Sequence, residues 1–206
     1  MNTTEFEKNY LNHYLLLEKD FKLTTEYVTI SEDNYDTYSV SYLKLLLTIG
    51  SEIDVMLEFL ARLYDPNQKE SGFGCSKTIL KSEPDIKELV VQLRNESISI
   101  LPWKCTAIPE WWTAYTEIKH NRYESAVKFD SIRKYYQYAN LRNVLTSLAA
   151  LFSLELLAYR LIAISNNEQL FVPTIKSIFT IKDSYWKDIV FGGGYVAIDG
   201  CLYTND

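Results

Sequence analysis

The sequence predicts an all-α fold: a helical bundle with two long core helices and a short irregular or β-containing C-terminal appendage. Two observations support this prediction. Residues 38–64 and 140–164 each repeat apolar side chains at helical spacing. After Asn166, β-branched and aromatic residues replace that pattern and are mixed with three glycines at 192–194. No Gly-Lys-Ser/Thr follows these glycines, so we interpret them as a flexible turn rather than a phosphate loop.

The composition fits one domain with enough apolar material for a sizeable core. The chain has 206 residues, of which 47% are hydrophobic. We therefore expect a single domain over residues 1–206, with its core at about 4–165 and the appendage at about 166–206. The net charge of −6 argues against broad, sequence-independent binding of nucleic acid but allows a small local basic site.

Cysteine usage indicates a reducing compartment. Cys75, Cys105 and Cys201 are far apart, and none belongs to a Cys-x-x-Cys zinc or redox motif. Residues 1–8 are polar and lack the apolar segment of a signal peptide. We expect a cytoplasmic protein with no bound metal or cofactor.

The first helix is predicted from Thr4 to about Phe21. At helical spacing, its apolar face consists of Phe6, Tyr10, Tyr14 and Leu17. His13 lies one residue off this face, so we interpret it as a partly covered helix residue. Turn formers at 31–37 separate this helix from the next one.

The second helix is predicted to begin near Tyr38 and to end at the Asp65-Pro66-Asn67 turn. Its apolar stripe is Tyr42, Leu46, Ile49, Ile53, Leu57, Leu60 and Tyr64. Glu52 falls at the edge of this stripe and is a candidate site residue, whereas Asp54 is expected to project to solvent with Glu58. The alternative for Glu52 is a border carboxylate that binds a neighbouring lysine or tyrosine.

Between the second helix and the next motif, the sequence predicts less regular structure. The polar stretch to Ser82 has the composition of a long loop. A third, shorter helix is expected from Pro84 to about Asn95, because apolar residues recur there at helical intervals. Residues 101–103 are predicted to turn into the following helix.

A further helix is predicted to start at Pro109, since proline and an acidic residue suit a first turn. Trp111, Tyr115 and Ile118 share one face of it. His120 points to the opposite side, beside Thr113, Glu117 and Glu124. In a regular helix Arg122 would return to the inner side, so either the helix ends near Asn121 or His120 and Arg122 have separate roles.

The last predicted helix is nearly apolar all round. Its main face comprises Leu141, Leu145, Leu148, Phe152 and Tyr159. Because charges at Glu155 and Arg160 are costly in a bilayer, we predict a soluble core helix and no membrane association.

Glu155 falls inside that apolar face, where an isolated carboxylate is strongly disfavoured. We expect it to be buried and either paired or protonated. Arg122 is the first candidate partner and a tyrosine hydroxyl the second. A purely structural role is the alternative to a functional one.

Two stretches carry a family resemblance. One is Trp-Trp-x-x-Tyr-x-x-Ile-Lys-His-Asn-Arg at 111–122, followed by Asn-Leu-x-Asn-Val-Leu-x-x-Leu-Ala-Ala-Leu-Phe at 140–152; the other is residues 38–54. Together they resemble the HEPN-like helical proteins of prokaryotic host-defence and toxin systems. The resemblance implies a metal-independent ribonuclease in which an arginine, followed by a histidine about one and a half turns later, meets its copy across a dimer.

The sequence departs from that family pattern at the arginine. Counting back from His120, Tyr115 occupies the position where the arginine is expected. Arg94 and Arg142 have no histidine downstream at the family spacing, and Arg122 follows His120 instead of preceding it. The departure affects the predicted catalysis more than the predicted fold.

Two hypotheses of function follow. In the first, the chain is an RNA-directed defence protein. His120 acts as acid or base, Arg122 or Lys119 stabilises a phosphate, and the carboxylates Glu52 and Glu155 position them.

In the second hypothesis, the chain is a non-catalytic helical module that dimerises or binds a cognate partner protein through its tryptophan-rich region. A homodimer through the His120 face is expected in either case. A basic cleft formed by His120 and Arg122 of two chains would favour hydrolysis, whereas an isolated, exposed His120 would favour the interaction module.

Overall fold

The computed structural model describes residues 1–94, 96–168 and 177–181, together with the backbone of 197–198 and 201–202. This part of the chain is mostly helical, with a small antiparallel sheet. The α-helices are α1 (Thr3–Phe6), α2 (Asn12–Thr24), α3 (Val40–Tyr64), α4 (Ser76–Ser82), α5 (Glu110–Asn121) and α6 (Leu141–Ser165). A π-helical turn, Glu7–Leu11, joins α1 to α2 without a break.

Shorter elements connect the helices. The 3-10 turns are Glu32–Asn34, Gly72–Cys75, Pro84–Glu88 and Tyr135–Tyr138. The strands are β1 (Val91–Leu93), β2 (Ser99–Ile100), β3 (Phe179–Ile181), β4 (Ala197–Ile198) and β5 (Cys201–Leu202). The first three form an antiparallel sheet in the order β2-β1-β3, and β4 pairs with β5.

The first helical segment starts with a capping box and carries the predicted apolar face. The side chain of Asn2 accepts a hydrogen bond from the Glu5 N–H, and the Glu5 carboxylate accepts one from the Asn2 N–H. Phe6, Tyr14 and Leu17 are buried, as the periodicity predicts. The segment continues to Thr24, slightly further than expected.

Helices α3 and α6 are the central pair, as predicted. An isolated β-bridge between Tyr38 and Asn140 joins the residues just before them. The side chains of Ser39 and Asn140 cap the two N-termini. Because both helices start at this bridge and pack against each other, they run in the same direction.

The first segment packs antiparallel on this pair. Near its start, the Phe6 ring lies 6.1 Å from Phe59 and 6.4 Å from Tyr159, measured between centroids. Further on, the Tyr14 ring lies 5.7 Å from Phe152. Residues later in α2 therefore contact residues earlier in α6, which shows that the two helices are antiparallel.

Helix α5 lies against both central helices and uses close aromatic contacts. The Tyr115 ring packs on the backbone of Gly50, where an added Cβ would lie 2.3 Å from the ring. Trp103 Nε1 donates to Ser153 Oγ on α6 at 2.8 Å, and Trp111 Nε1 donates to the Pro102 carbonyl at 2.8 Å. Glycine is therefore required at position 50 by steric fit, because any side chain would displace Tyr115.

Two predictions for the middle of the chain are wrong. The expected loop up to Ser82 contains a 3-10 turn and α4. The expected helix from Pro84 to Asn95 is a single 3-10 turn followed by strand β1. β1 is the central strand of the three-stranded sheet, so partners outside the segment supply its hydrogen bonds and override the helical spacing.

The C-terminal residues 177–181 belong to the core, in contrast to the predicted appendage. Phe179 is fully buried, and its ring lies 5.6 Å from that of Phe152 on α6. The prediction of short strands in this region is confirmed for β3. The glycine turn at 192–194 lies outside the described residues.

Among the described residues, α6 is the one helix long and apolar enough to cross a membrane by length and composition. Within its most apolar window, 83% of the residues are buried inside the protein. A mostly buried core helix passes the same test.

Candidate functional site

The five candidate residues lie in two separate places. Lys119, His120 and Arg122 are at the C-terminal end of α5, which we call the α5 terminus. Glu52 on α3 and Glu155 on α6 lie where these helices meet α2, which we call the carboxylate junction. Among the described residues, no hydrogen bond or ion pair links the two places. The geometry therefore gives no support to the hypothesis that these carboxylates position His120.

At the α5 terminus the three side chains have different surroundings. The helix ends at Asn121, one of the two alternatives that the sequence left open. His120 is exposed and forms no hydrogen bond with any described residue. Lys119 Nζ lies 3.4 Å from the Tyr115 hydroxyl. Arg122 Nε is buried without a hydrogen-bond partner in the described part of the chain.

Asp54 faces α5 instead of projecting to solvent with Glu58 as predicted. The Tyr115 hydroxyl donates to Asp54 Oδ2 at 3.1 Å. Burial raises the pKa of Asp54, while this hydrogen bond and the charge of Lys119 act in the opposite direction. Burial, followed by the negative charge of Asp54, raises the pKa of Tyr115 to about 12. Tyr115 therefore stays neutral at physiological pH and is committed to a structural hydrogen bond.

Glu117 was predicted to lie on the polar face beside His120, but the structure buries it. The residue is 5% exposed, and its carboxylate binds Lys128 and accepts from Asn121 Nδ2 at 2.8 Å. Burial alone would raise the pKa of Glu117, but the hydrogen bonds from Lys128 and Asn121 outweigh it and lower the pKa. Since Lys128 lies in the segment after α5, that segment covers part of the face that the sequence assigned to a dimer contact.

In the carboxylate junction, Glu155 is buried as predicted. It is 2% exposed, and Glu155 Oε2 has no hydrogen-bond partner among the described residues. Burial, followed by the nearby charge of Glu52, raises the pKa of Glu155 to about 8. Of the two predicted outcomes, paired or protonated, the protonated one holds at neutral pH.

Arg122 is not the partner of Glu155, contrary to the first choice from the sequence. The Arg122 carbonyl accepts from the Tyr136 backbone at 3.0 Å, which places it near the N-terminal end of α6. Glu155 lies 14 residues beyond Leu141 on that helix, about 21 Å further along its axis. The helical periodicity predicted the face of α6 on which Glu155 lies. It could not predict which residues of α5 pack beside that part of α6.

Glu52 lies at the border of the core, as predicted, but its partner is a histidine. His13 Nδ1 lies 3.1 Å from Glu52 Oε2, and the two side chains are 42% and 23% exposed. The sequence had assigned His13 no role and had proposed a lysine or tyrosine as the partner. Sequence periodicity placed both residues beside apolar stripes, and only the antiparallel packing of α2 on α3 brings them together.

A second buried carboxylate, Glu18, was missed. It is 3% exposed and accepts hydrogen bonds from the hydroxyls of Tyr14 at 2.8 Å and Ser177 at 2.6 Å, and from the Ile178 backbone at 3.1 Å. Burial and then the charge of Glu18 raise the pKa of Tyr14 well above its usual range. The i, i+4 spacing of Tyr14 and Glu18 is a local signal that could have revealed this pair.

Neither region has the arrangement expected for nucleophilic or metal-assisted chemistry. The described residues contain no group of three or more His, Cys, Asp or Glu side chains placed to hold a metal ion. Cys75 and Cys105 are free thiols, and burial raises the pKa of each.

Searches of family models, curated proteins and solved structures found no match to this chain.

Proposed function

We propose that this protein is a non-catalytic, HEPN-like helical interaction module of a cytoplasmic host-defence or toxin system. It acts by forming a homodimer or by binding a cognate protein. One observation carries the proposal: Tyr115, which stands where the family's arginine is expected, is 3% exposed and hydrogen-bonded to Asp54. A buried neutral phenol in that place offers no positive charge to a phosphate.

The surroundings of His120 support the same proposal. A general acid or base is usually oriented by a second group, as in catalytic triads. His120 has no such partner among the described residues, and Glu52 is instead engaged by His13. The isolated, exposed His120 is the arrangement that we associated with an interaction module.

A metal-independent ribonuclease is the second candidate, and a specific observation favours it. Arg122 Nε is buried and unpartnered two positions after the exposed His120, so its guanidinium charge is not committed to a carboxylate. In this candidate His120 acts as acid or base, and Arg122 or Lys119 stabilises a phosphate contributed by RNA. Since no arginine precedes His120 at the family spacing, a second copy would have to complete the site.

An RNA cleavage assay in the presence of a chelator separates the two candidates. Wild-type protein, His120→Ala and His13→Ala are incubated with total RNA. The chain has two histidines, so His13→Ala is a matched control for loss of an imidazole away from the motif. We expect no cleavage above background with any of them. Cleavage by wild type and His13→Ala that is lost in His120→Ala would instead establish the ribonuclease.

A further inference from the structure

A groove lies between α2 and α3, and no residue of the α5 terminus lines it. It has a volume of about 710 Å³ and is lined by residues of both helices and of the turn after α2. Leu17, Tyr42 and Leu45, at most 6% exposed, are the buried residues that line it.

Large apolar side chains stand exposed along this groove. Leu16 is 59% exposed, Leu23 is 51% exposed and Tyr27 is 86% exposed. Leu16 and Leu23 are seven residues apart and lie on one face of α2, the spacing with which helices pack against a partner helix. Exposed apolar side chains clustered along a groove are a feature of surfaces that bind a partner.

The groove also carries one charge of each sign. Asp20 lies on α2 between the two leucines, and Lys44 lies on α3. Both residues are exposed, and neither forms an ion pair with a described residue. An unpaired acid and an unpaired base on one surface allow two equivalent ion pairs in a two-fold contact, in which each acid faces the partner's base.

We propose that the α2–α3 groove is a homodimer interface, occupied by α2 of a second copy of this chain. The leucines of each α2 enter the partner's groove, and Asp20 faces the partner's Lys44 in two equivalent ion pairs. This inference rests on the proposed interaction function and replaces the His120 face as the contact surface. The groove combines the exposed apolar side chains of α2 with Asp20 and Lys44.

A charge-exchange experiment in sedimentation equilibrium tests the two-fold contact. Wild-type protein is expected to dimerise. Asp20→Lys and Lys44→Asp should each weaken the dimer by about tenfold in Kd, because both ion pairs become repulsive. An equimolar mixture of the two variants should form a heterodimer of near wild-type affinity, and the double variant should regain the homodimer.

Apolar substitutions test the packing of the same surface. Leu16→Glu should abolish the dimer without altering the circular dichroism spectrum, because the side chain is exposed in the monomer. Leu63→Glu is the control, since Leu63 is 41% exposed at the far end of α3 and does not line the groove.

The possible outcomes separate the groove, the homodimer and the proposed function. A dimer that is insensitive to Leu16→Glu and to both charge reversals would place the interface elsewhere and overturn the groove while leaving the interaction function intact. A wild-type chain that stays monomeric at high micromolar concentration would overturn the homodimer. RNA cleavage dependent on His120 would overturn the proposed function instead, and does not bear on the groove.

Discussion

The α5 terminus and the carboxylate junction differ in how far their candidate residues are exposed and paired. At the α5 terminus, His120 is exposed and has no hydrogen-bond partner in the described part of the chain, and Lys119 Nζ lies 3.4 Å from the Tyr115 hydroxyl. At the junction, Glu155 is almost completely buried and Glu52 is paired with His13. The exposed His120 side chain can be removed without disturbing the core, whereas the junction places ionisable groups within the core.

From this difference we expect the residues of the junction to act in stability and the exposed residues of the α5 terminus to act in binding. A buried carboxyl whose proton is retained makes folding depend on pH, because ionisation in the core is costly. Exposed residues affect stability little, so their contribution can be detected only through a ligand or partner. The following predictions test this separation, from the largest expected effect to the smallest.

The largest expected effect is a change in the pH dependence of stability in Glu155→Gln. Glu155 has a pKa of about 8 in the folded protein and an ordinary value of 4.5. Between these values the folded chain keeps a proton that the unfolded chain has lost, so stability falls as pH rises. At about 1.4 kcal/mol per pH unit, the loss approaches roughly 5 kcal/mol across this window, and glutamine removes it.

Urea unfolding of the wild type and Glu155→Gln at pH 5, 6.5 and 8 measures this effect. The free energy of unfolding of the variant minus that of the wild type should increase by several kcal/mol between pH 5 and pH 8. Glu58→Gln, at a partly exposed carboxylate on α3, is the control and should leave the slope unchanged. Parallel curves for wild type and Glu155→Gln would contradict the burial of an unpaired carboxyl.

A smaller loss is expected for Tyr14→Phe, which removes one of the donors to Glu18. The hydroxyl lies 2.8 Å from Glu18 and 2.9 Å from Ser177 Oγ, so the buried carboxylate would be left less satisfied. We expect a decrease in the free energy of unfolding of about 1–3 kcal/mol at pH 7.

Tyr10→Phe is the matched control for this prediction. Tyr10 lies one turn earlier in the same helical segment, is partly buried and stacks on Phe6 at 5.1 Å. Chemical denaturation should show a change of less than about 0.5 kcal/mol in this variant. Equal losses in both variants would show that the hydroxyl network around Glu18 contributes no more to stability than the Tyr10 hydroxyl does.

The smallest effect is expected for His120→Ala. Because the side chain is exposed and has no hydrogen-bond partner in the described part of the chain, the free energy of unfolding should change by less than about 0.5 kcal/mol. Trp111→Ala, on the buried face of the same helix, should lose roughly 3–5 kcal/mol. Thermal denaturation compares the two, and a loss above 1 kcal/mol in His120→Ala would reveal a structural role.

Local periodicity predicted the parts of the fold that depend on one segment alone. The apolar stripes of α3 and α6 identified the central helix pair, and the spacing around Glu155 placed that residue in the core. The sequence also predicted the buried Trp111, Tyr115 and Ile118 face of α5. These predictions hold because helical side chains repeat every 3.6 residues whatever the helix packs against.

Only the tertiary structure decided which segments meet. Strand β1 was predicted as a helix because its partner β3 lies more than 80 residues away. For the same reason the sequence missed Ser177 beside Glu18, Tyr115 beside Asp54, and His13 beside Glu52. The local backbone determines the face of a helix or strand on which a side chain lies. The neighbours of that side chain depend on the order, direction and relative position in which distant elements pack. Helical periodicity carries no information about that packing.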